Sequence, residues 1–183
     1  KMAKVLLPAI KSEKLSGAII YKDGQFDDAR LAINLAQTIA DNGGTVLNYC
    51  KVTGLVKQDK KITGVKLIDE IEHKQYELKC KVVINATGVF TDEVLKMDNA
   101  AAKNIILPSQ GIHLVFDKKY FPGNAAMLIP KTSDGRVLFA VPWHDKVIAG
   151  TTDTEIEKPV LEPEPLESEI EFILQHMHKY LRV

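Results

Sequence analysis

Four polar side chains of this sequence could take part in catalysis or bind an anion. Histidine side chains in general have a pKa near neutral pH, so His113 could accept a proton from an alcohol. Arg136 and Lys118 could hold a phosphate or a carboxylate, and arginine suits bidentate contact. Thr152, in the run Gly150-Thr-Thr-Asp153, could line a pocket with its hydroxyl group.

Each of these side chains also has a structural interpretation, which the residues alone leave open. His113 could be a hydrogen-bonded histidine in a cavity wall, and Arg136 and Lys118 could be surface charges at strand ends. Thr152 could satisfy the backbone of its own turn. A regular strand would place His113 and Lys118 on opposite faces, so both serve one site only if the strand bends or bulges near Asp117.

A glycine turn forms a second candidate site. Ala86, Thr87 and Gly88 come at the carboxyl end of a short apolar strand, predicted over 81–85, where ligands bind in open α/β sheets. Glycine there lets a ligand approach the backbone closely. A plain strand-to-helix turn would have the same residues. Because no GxGxxG fingerprint occurs here, the main phosphate loop for any dinucleotide would lie elsewhere.

Composition excludes several classes of function. The chain has 183 residues, with 24 Lys and Arg against 24 Asp and Glu, and this zero net charge argues against a nucleic-acid partner. No apolar run approaches the roughly 18 residues that a membrane span needs. Cys50 and Cys80 have no metal-ligand spacing, which suits a reducing compartment, and we predict no metal site.

The first part of the chain is predicted to hold a βαβ unit with a parallel strand pair. Its elements are a strand at 17–21, a helix at 27–41 capped by Asp27, and a strand at 45–50. A small antiparallel meander is predicted to follow, with strands at 52–56, 62–69 and 75–80.

The second part is predicted to be an antiparallel hairpin series that ends in a helix. The strands are expected at 111–117, 126–130, 136–141 and 146–149, with Phe139 and Trp143 in the core. A stiff linker with three prolines spans 157–165. The final helix is expected to present Ile170, Leu174, Met177 and Leu181 on one apolar stripe and to leave His176 exposed.

The fold class predicted is therefore α/β plus an antiparallel sheet. We expect an α/β part at 1–103, an antiparallel sheet at 104–156, and a linker with a C-terminal helix at 157–183. The first two parts should pack together, because neither is large enough to bury a good core alone. Since the chain begins at Lys1 and stops inside an apolar pattern, we also expect it to be a piece of a longer protein.

Several segments in one order closely resemble the middle of FAD-dependent, respiratory-type glycerol-3-phosphate dehydrogenases. The resemblance covers about residues 10–181 and is most specific in DGQFDDAR, SQGIHL, RVLFAVPW and GTTD. The run Asn-Ala-Thr-Gly at 85–88 is shared more widely, by many flavoproteins of the D-amino-acid oxidase-like superfamily.

The resemblance implies roles for several residues. Lys51 and Val52 would pass the adenine end of FAD, and Ala86-Thr87-Gly88 would lie against the cofactor. The antiparallel sheet would cover the flavin ring and hold substrate. Arg136 would grip the substrate phosphate, and Lys118 would stand where relatives carry a second arginine.

The resemblance also implies the reaction and the partners of the intact parent. A base, for which His113 is the candidate, would take the hydroxyl proton of sn-glycerol 3-phosphate while hydride passes to the flavin, giving dihydroxyacetone phosphate. Electrons would continue to a membrane quinone. We expect the parent in the cytoplasm, with peripheral contact at the inner face of the cell membrane.

Two other functions remain open at this point. A related flavin amine oxidase acting on glycine or sarcosine would use Arg136 to hold a carboxylate. The chain could also be a binding module that is catalytically incomplete on its own.

Overall fold

The computed structural model describes residues 2–13, 15–130 and 132–182. Short 3-10 helices lie at Gly88–Phe90 and Lys118–Tyr120. The other elements, in chain order, are α1 (Met2–Leu6), α2 (Asp28–Asp41), β1 (Cys50–Gln58), β2 (Lys61–Asp69), β3 (Gln75–Lys79), α3 (Thr91–Asp98), β4 (Ser109–Gln110), β5 (His113–Asp117), β6 (Met127–Ile129), β7 (Leu138–Trp143), β8 (Lys146–Gly150), β9 (Thr154–Glu155) and α4 (Glu167–Tyr180).

The chain divides into two compact units. A discontinuous unit combines Lys1–Ile20 with Leu107–Val183, and a continuous unit spans Tyr21–Ile106. The division after Ile106 lies close to the boundary predicted at 103. It differs from the prediction in joining both ends of the chain to the antiparallel sheet. The ends meet through backbone hydrogen bonds, in which Lys11 N donates to Tyr180 O and Arg182 N donates to Ala9 O.

The discontinuous unit is built on a four-stranded antiparallel sheet in the order β5-β8-β7-β6. This confirms the predicted hairpin series. One face of the sheet is buried under α4, and together they form the hydrophobic core of the unit. This core includes Met127, Ile129, Leu138, Ala140, Val147 and Ala149 from the sheet, and Ile173, Met177 and Leu181 from α4 and the residue after it. Successive side chains of each strand point to opposite faces of the sheet, and α4 does not cover the second face.

Three predictions about which side chains face this core were wrong in whole or in part. Phe139 is 38% exposed, because Leu138 and Ala140 take the buried positions of β7. On α4 the predicted stripe is right for Met177 and, just after the helix, for Leu181, which are buried, but Ile170 and Leu174 are only half-buried and Ile173 is buried instead. His176, which we expected to be exposed, is 7% exposed. The predicted periodicity of apolar residues was right for both β7 and α4, but the periodicity alone did not determine which face of each element packs on the core.

The continuous unit contains α2, the meander β1-β2-β3, and α3. The helix α2 forms as predicted, since Asp27 Oδ1 accepts a hydrogen bond from Arg30 N at 2.9 Å. The helix ends before Gly43, whose φ of +80° lies in the left-handed region that glycine tolerates. All three meander strands pair antiparallel, as predicted. Lys57 Nζ pairs with Asp98 Oδ1 at 2.8 Å, which ties the end of α3 to β1.

The predicted combination of helices with an antiparallel sheet is confirmed, but the parallel strand pair of the predicted βαβ unit does not form among the described residues. Every paired strand there is antiparallel, and of the segments 17–21, 45–50 and 81–85 only Cys50 lies in a strand. Their apolar side chains are exposed, for example Ile19 at 93% and Ile84 at 84%. A strand needs a neighbour to satisfy its backbone groups, and these segments have none in the described part of the chain.

Candidate active site

His113 begins β5 and lies on the face of the sheet that α4 does not cover. It stands opposite Gly150 of β8 in the antiparallel register. A Cβ atom at Gly150 would overlap the imidazole Cδ2 and lie 2.8 Å from Ile112 O, so glycine makes room for the ring. The imidazole is exposed and forms no hydrogen bond with any described residue. Both of its ring nitrogens are therefore available to a ligand.

The uncovered face around His113 is mainly apolar, and we call it the open face. It is defined by His113, Val115, Phe139, Val141 and Ile148, which share one side of the sheet by register. Val115 is 64% exposed. Once a ligand covers it, an apolar surface with one titratable group would exclude water around a reacting alcohol and supply a proton acceptor.

Thr152 is placed beside this site, but its hydroxyl group does not face the open side. The residue is 3% exposed. Its Oγ1 donates to Glu169 Oε1 at 3.0 Å and accepts from Ile112 N at 2.9 Å. Because these bonds use the hydroxyl proton and a lone pair inside the protein, the structure does not support Thr152 as a substrate ligand.

Arg136 lies on the opposite side of the sheet from His113. Its guanidinium Cζ is 5.1 Å from the centre of the Phe172 ring, which belongs to α4. Nε donates to Asp134 Oδ2 at 2.7 Å, and Nη2 donates to the same carboxylate. Nη1 is buried and has no hydrogen-bond acceptor among the described residues.

The surroundings of Arg136 are those of a structural ion pair. Asp134 is the main cause of the raised pKa of Arg136, and Asp153 and Glu169 add to it. The same guanidinium holds the pKa of Asp134 far below its usual range. The expectation that Arg136 grips a phosphate near His113 is therefore not supported, since Nε and Nη2 bind Asp134 and the guanidinium lies on the α4 side of the sheet.

Lys118 also lies away from His113. β5 pairs with β8 without a register shift from His113 to Asp117, so the bend required to bring Lys118 to the same site does not occur. Five residues of strand correspond to roughly 16 Å. Lys118 Nζ instead donates to Asn124 Oδ1 at 3.0 Å. Of the four polar residues predicted, the structure thus brings only His113 and Thr152 into one neighbourhood.

The turn at Ala86-Thr87-Gly88 lies in the continuous unit and is exposed. Gly88 has a φ of +57°, and a Cβ there would meet no described atom within 4 Å. The turn is shaped by Asn85, whose Nδ2 donates to Thr91 O at 3.0 Å and whose Oδ1 accepts from Thr87 Oγ1 at 2.7 Å. We did not single out Asn85 from the sequence, although an asparagine two residues before a turn threonine is a recognisable signal.

Lys51 and Val52 lie at the start of β1 in the same unit. Lys51 is exposed and Val52 is half-buried, and both pair with β2. An exposed glycine turn with open space beside it, together with an accessible strand end, fits one wall of a site for an extended nucleotide. These residues could contribute to holding FAD, although no phosphate loop is among them.

Other kinds of site receive no support from the described residues. No group of three or more His, Cys, Asp or Glu side chains there could hold a metal ion. Within the same residues, no helix has the length and apolar character required to cross a bilayer.

His113 thus lies exposed on the antiparallel sheet of the discontinuous unit, and the glycine turn at Gly88 lies open in the continuous unit. The family model described as "FAD dependent oxidoreductase" (DAO) matches residues 2–183. The chain belongs to that family, which confirms the superfamily inferred from the sequence.

Individual relatives point in the same direction. The mitochondrial glycerol-3-phosphate dehydrogenase of Schizosaccharomyces pombe is 41% identical over 186 residues, covering 96% of this chain and 29% of the relative. The human mitochondrial enzyme of that name is 41% identical over 180 residues, covering 95% and 25%. The chain therefore spans between a quarter and a third of the length of these curated relatives.

Solved structures give two further matches. The crystal structure of glycerol-3-phosphate dehydrogenase from Bacillus halodurans complexed with FAD matches with a TM-score of 0.93 and 30% identity, over 100% of this chain and 37% of that one. L-Proline dehydrogenase from P. horikoshii matches with a TM-score of 0.62 and 18% identity, over 98% of this chain and 46% of that one. The second match supports the fold alone.

Proposed function

We propose that this chain is a segment of an FAD-dependent enzyme that oxidises sn-glycerol 3-phosphate to dihydroxyacetone phosphate. One observation carries the proposal. The whole chain superimposes on the FAD complex of the Bacillus halodurans glycerol-3-phosphate dehydrogenase with a TM-score of 0.93. Relatives about 41% identical over nearly all of the chain bear the same enzyme name.

In this proposal His113 is the group that accepts the hydroxyl proton of the substrate. Its ring is exposed at the open face and is free of hydrogen bonds to described residues, so a neutral imidazole nitrogen can meet an alcohol. The apolar residues around it, such as Val115 and Phe139, would keep water from the reacting carbon. Bound FAD supplies the hydride acceptor.

The cofactor would be held in part by the continuous unit. Ala86, Thr87 and Gly88 present exposed backbone with open space at Gly88, and Asn85 fixes the shape of that turn. Lys51 and Val52 supply an accessible strand end. The diphosphate of FAD needs additional backbone donors, which none of these residues supplies as a glycine-rich loop.

We assign the substrate phosphate to no residue of this chain. Arg136 is engaged by Asp134 and lies on the α4 side of the sheet, and Lys118 is bonded to Asn124. Thr152 is engaged inside the discontinuous unit. The phosphate-binding cations of the intact enzyme are proposed to be other residues.

The proposal is tested with the full-length protein that contains this chain, purified with FAD. We expect reduction of an artificial dye with sn-glycerol 3-phosphate, and none with sarcosine, glycine or glycerol. Dye reduction with sarcosine or glycine instead would show a flavin amine oxidase. No turnover with any of these substrates would contradict the proposed reaction.

We further propose that electrons leave the enzyme to a membrane quinone, from a cytoplasmic position at the inner face of the membrane. The support is the resemblance of the chain to respiratory-type enzymes. Reduction of a soluble ubiquinone analogue, faster than reduction of oxygen, is the expected result. Quantitative formation of hydrogen peroxide with no quinone reduction would contradict it.

A further inference from the structure

Glu169 is a buried carboxylate in the first turn of α4, and it is 2% exposed. Its Oε1 accepts from Thr152 Oγ1 at 3.0 Å and from Thr154 Oγ1 at 2.7 Å. Its Oε2 accepts from Gln110 Nε2 and from Leu166 N, each at 3.0 Å. Four donors therefore surround one carboxylate, which is close to its full accepting capacity.

These bonds keep Glu169 ionised. Burial raises the pKa of a carboxyl group, but the hydrogen bonds from Leu166 N and from the Thr154, Gln110 and Thr152 side chains outweigh burial and lower the pKa of Glu169. An anion at this position can only accept hydrogen bonds. It therefore fixes which way each neighbouring hydroxyl group points.

The orientation of Thr152 links this anion to the strand that carries His113. A threonine hydroxyl has one proton, and here that proton goes to Glu169. The oxygen lone pair is then free to accept from Ile112 N, at 2.9 Å. Ile112 immediately precedes His113, so the hydrogen bond holds the backbone from which the imidazole extends.

Close backbone contacts reinforce this link on both sides of His113. A Cβ at Gly111 would overlap Thr152 O, and a Cβ at Gly150 would overlap the His113 ring. The segments 111–113 and 150–152 therefore lie in direct contact, and neither glycine position has room for a Cβ atom. A displacement of Thr152 would therefore be passed on to the backbone at Ile112 and His113, because these contacts are closely packed.

We propose that Glu169 is a positioning residue for His113, acting through the Thr152 hydroxyl group and the Ile112 N–H. This inference rests on the proposed function, in which His113 takes the substrate proton. Thr152, which the sequence suggested as a substrate ligand, instead connects Glu169 to the backbone next to His113 and does not contact the substrate.

The test compares two threonines that bind the same carboxylate oxygen. In the full-length enzyme with FAD, Thr152→Val removes the bond to Ile112 N, whereas Thr154→Val removes a bond to Glu169 only. We expect Thr152→Val to lower kcat about tenfold with KM within about twofold, because a misplaced base slows proton transfer. Thr154→Val should stay within about twofold of wild type, and Thr152→Ser, which keeps the hydroxyl, should restore most of kcat.

A double-mutant cycle separates positioning from general damage. In a His113→Asn background, Thr152→Val should have no further effect on kcat, since the group that it positions is gone. A further tenfold loss in that background would overturn the proposal, and so would equal losses in Thr152→Val and Thr154→Val. If Thr152→Val does not retain FAD, Glu169→Gln replaces it in the same cycle with the same expectations.

Chemical modification of His113 tests the positioning role of Glu169 independently of the proposed substrate. Diethyl pyrocarbonate modifies exposed histidines, and peptide mass mapping gives the rate at His113 itself. We expect Thr152→Val to change that rate at least about threefold, with Thr154→Val close to wild type. An enzyme inactive with sn-glycerol 3-phosphate but with this pattern would refute the proposed function and keep the positioning role. Equal rates in all three proteins would overturn the positioning role.

Discussion

The two units of the chain differ in how completely they bury their apolar residues. In the discontinuous unit, α4 and the four-stranded sheet enclose a continuous cluster in which Leu138, Ala140, Ala149 and Ile173 are fully buried. In the continuous unit, Leu67 is the only buried hydrophobic residue, and α2 buries none of its residues although its apolar positions recur at helical spacing. The first unit thus has a core of its own, whereas the second leaves most of its apolar surface uncovered.

This difference indicates which unit of the chain is stabilised by a packed core and can hold a side chain in a fixed position. The candidate base His113 and its supports, Thr152 and Glu169, all belong to the unit with the core. The glycine turn at Gly88 is instead shaped by local bonds from Asn85 and Thr91. A site that must hold a side chain accurately is built on packed elements, and the exposed turn relies on side-chain bonds within a few residues.

The largest expected effect is on the core of the discontinuous unit. Leu138→Ala should lower the free energy of unfolding of the chain by about 3 kcal/mol, because the residue is 0% exposed and its removal leaves a cavity. Leu35→Ala on α2, where the residue is 56% exposed, should change it by no more than about 0.5 kcal/mol. Urea unfolding measures both, and equal losses would contradict the contrast between the units.

The buried carboxylate should give the next largest effect. Glu169→Gln should lower the free energy of unfolding by about 2 kcal/mol, since charge-assisted bonds from several donors are weakened. Glu167→Gln, an exposed change in the same helical turn, should cost about 0.3 kcal/mol through the helix dipole. A loss at Glu169 no greater than that at Glu167 would show that the carboxylate contributes little to the fold.

The same carboxylate gives the unit a defined pH dependence. Because the pKa of Glu169 is lowered in the folded state, its stabilisation is complete above the ordinary carboxyl range and is lost as the pH falls through the lowered value. Wild type should therefore lose stability relative to Glu169→Gln in acid. Parallel stability curves for the two proteins would contradict this.

A smaller effect is expected at the cap of α2. Asp27→Ala should cost about 1 kcal/mol of local helix stability, because Asp27 Oδ1 satisfies Arg30 N and packing adds little. Hydrogen exchange should quicken in α2 while the amides of β7 and β8 stay unchanged. Faster exchange throughout both units would mean that α2 unfolds together with the sheet.

The smallest expected effect is on substrate affinity at Arg136. Arg136→Ala should leave the KM of the full-length enzyme for sn-glycerol 3-phosphate within about threefold, because the guanidinium binds Asp134 on the α4 side of the sheet. A guanidinium that held the phosphate would cost about tenfold or more on removal. A tenfold rise in KM would show that Arg136 binds the substrate phosphate.

Local signals were sufficient to predict much of the fold. The antiparallel hairpin series with strands at 111–117, 126–130, 136–141 and 146–149 was predicted because strand signals are local in the sequence. The helix α2 was predicted for the same reason, from its cap at Asp27 and the recurrence of its apolar residues. The resemblance of the SQGIHL and GTTD segments supplied the family, which the comparisons confirm.

Long-range contacts could not be predicted in this way. The segments at 17–21 and 45–50 have strand composition, but a strand also needs a partner, which their own residues do not specify. The bond between Thr152 and Glu169 joins residues 17 positions apart. It leaves the hydroxyl facing inward, although the sequence allowed it to face a pocket. The resemblance assigned Arg136 to the substrate phosphate. Its contact with the Phe172 ring arises only once α4 packs on the sheet, whereas its partner Asp134 lies two residues away in the same turn.

The central claim is that the exposed His113 on the open face takes the proton of sn-glycerol 3-phosphate. The most direct measurement is the anaerobic rate at which this substrate bleaches the flavin absorbance of the full-length protein, in wild type and in His113→Asn at equal flavin content. Bleaching in wild type and a rate at least about 100-fold lower in His113→Asn are the results expected for loss of a general base. Bleaching at the same rate in both proteins would contradict the claim.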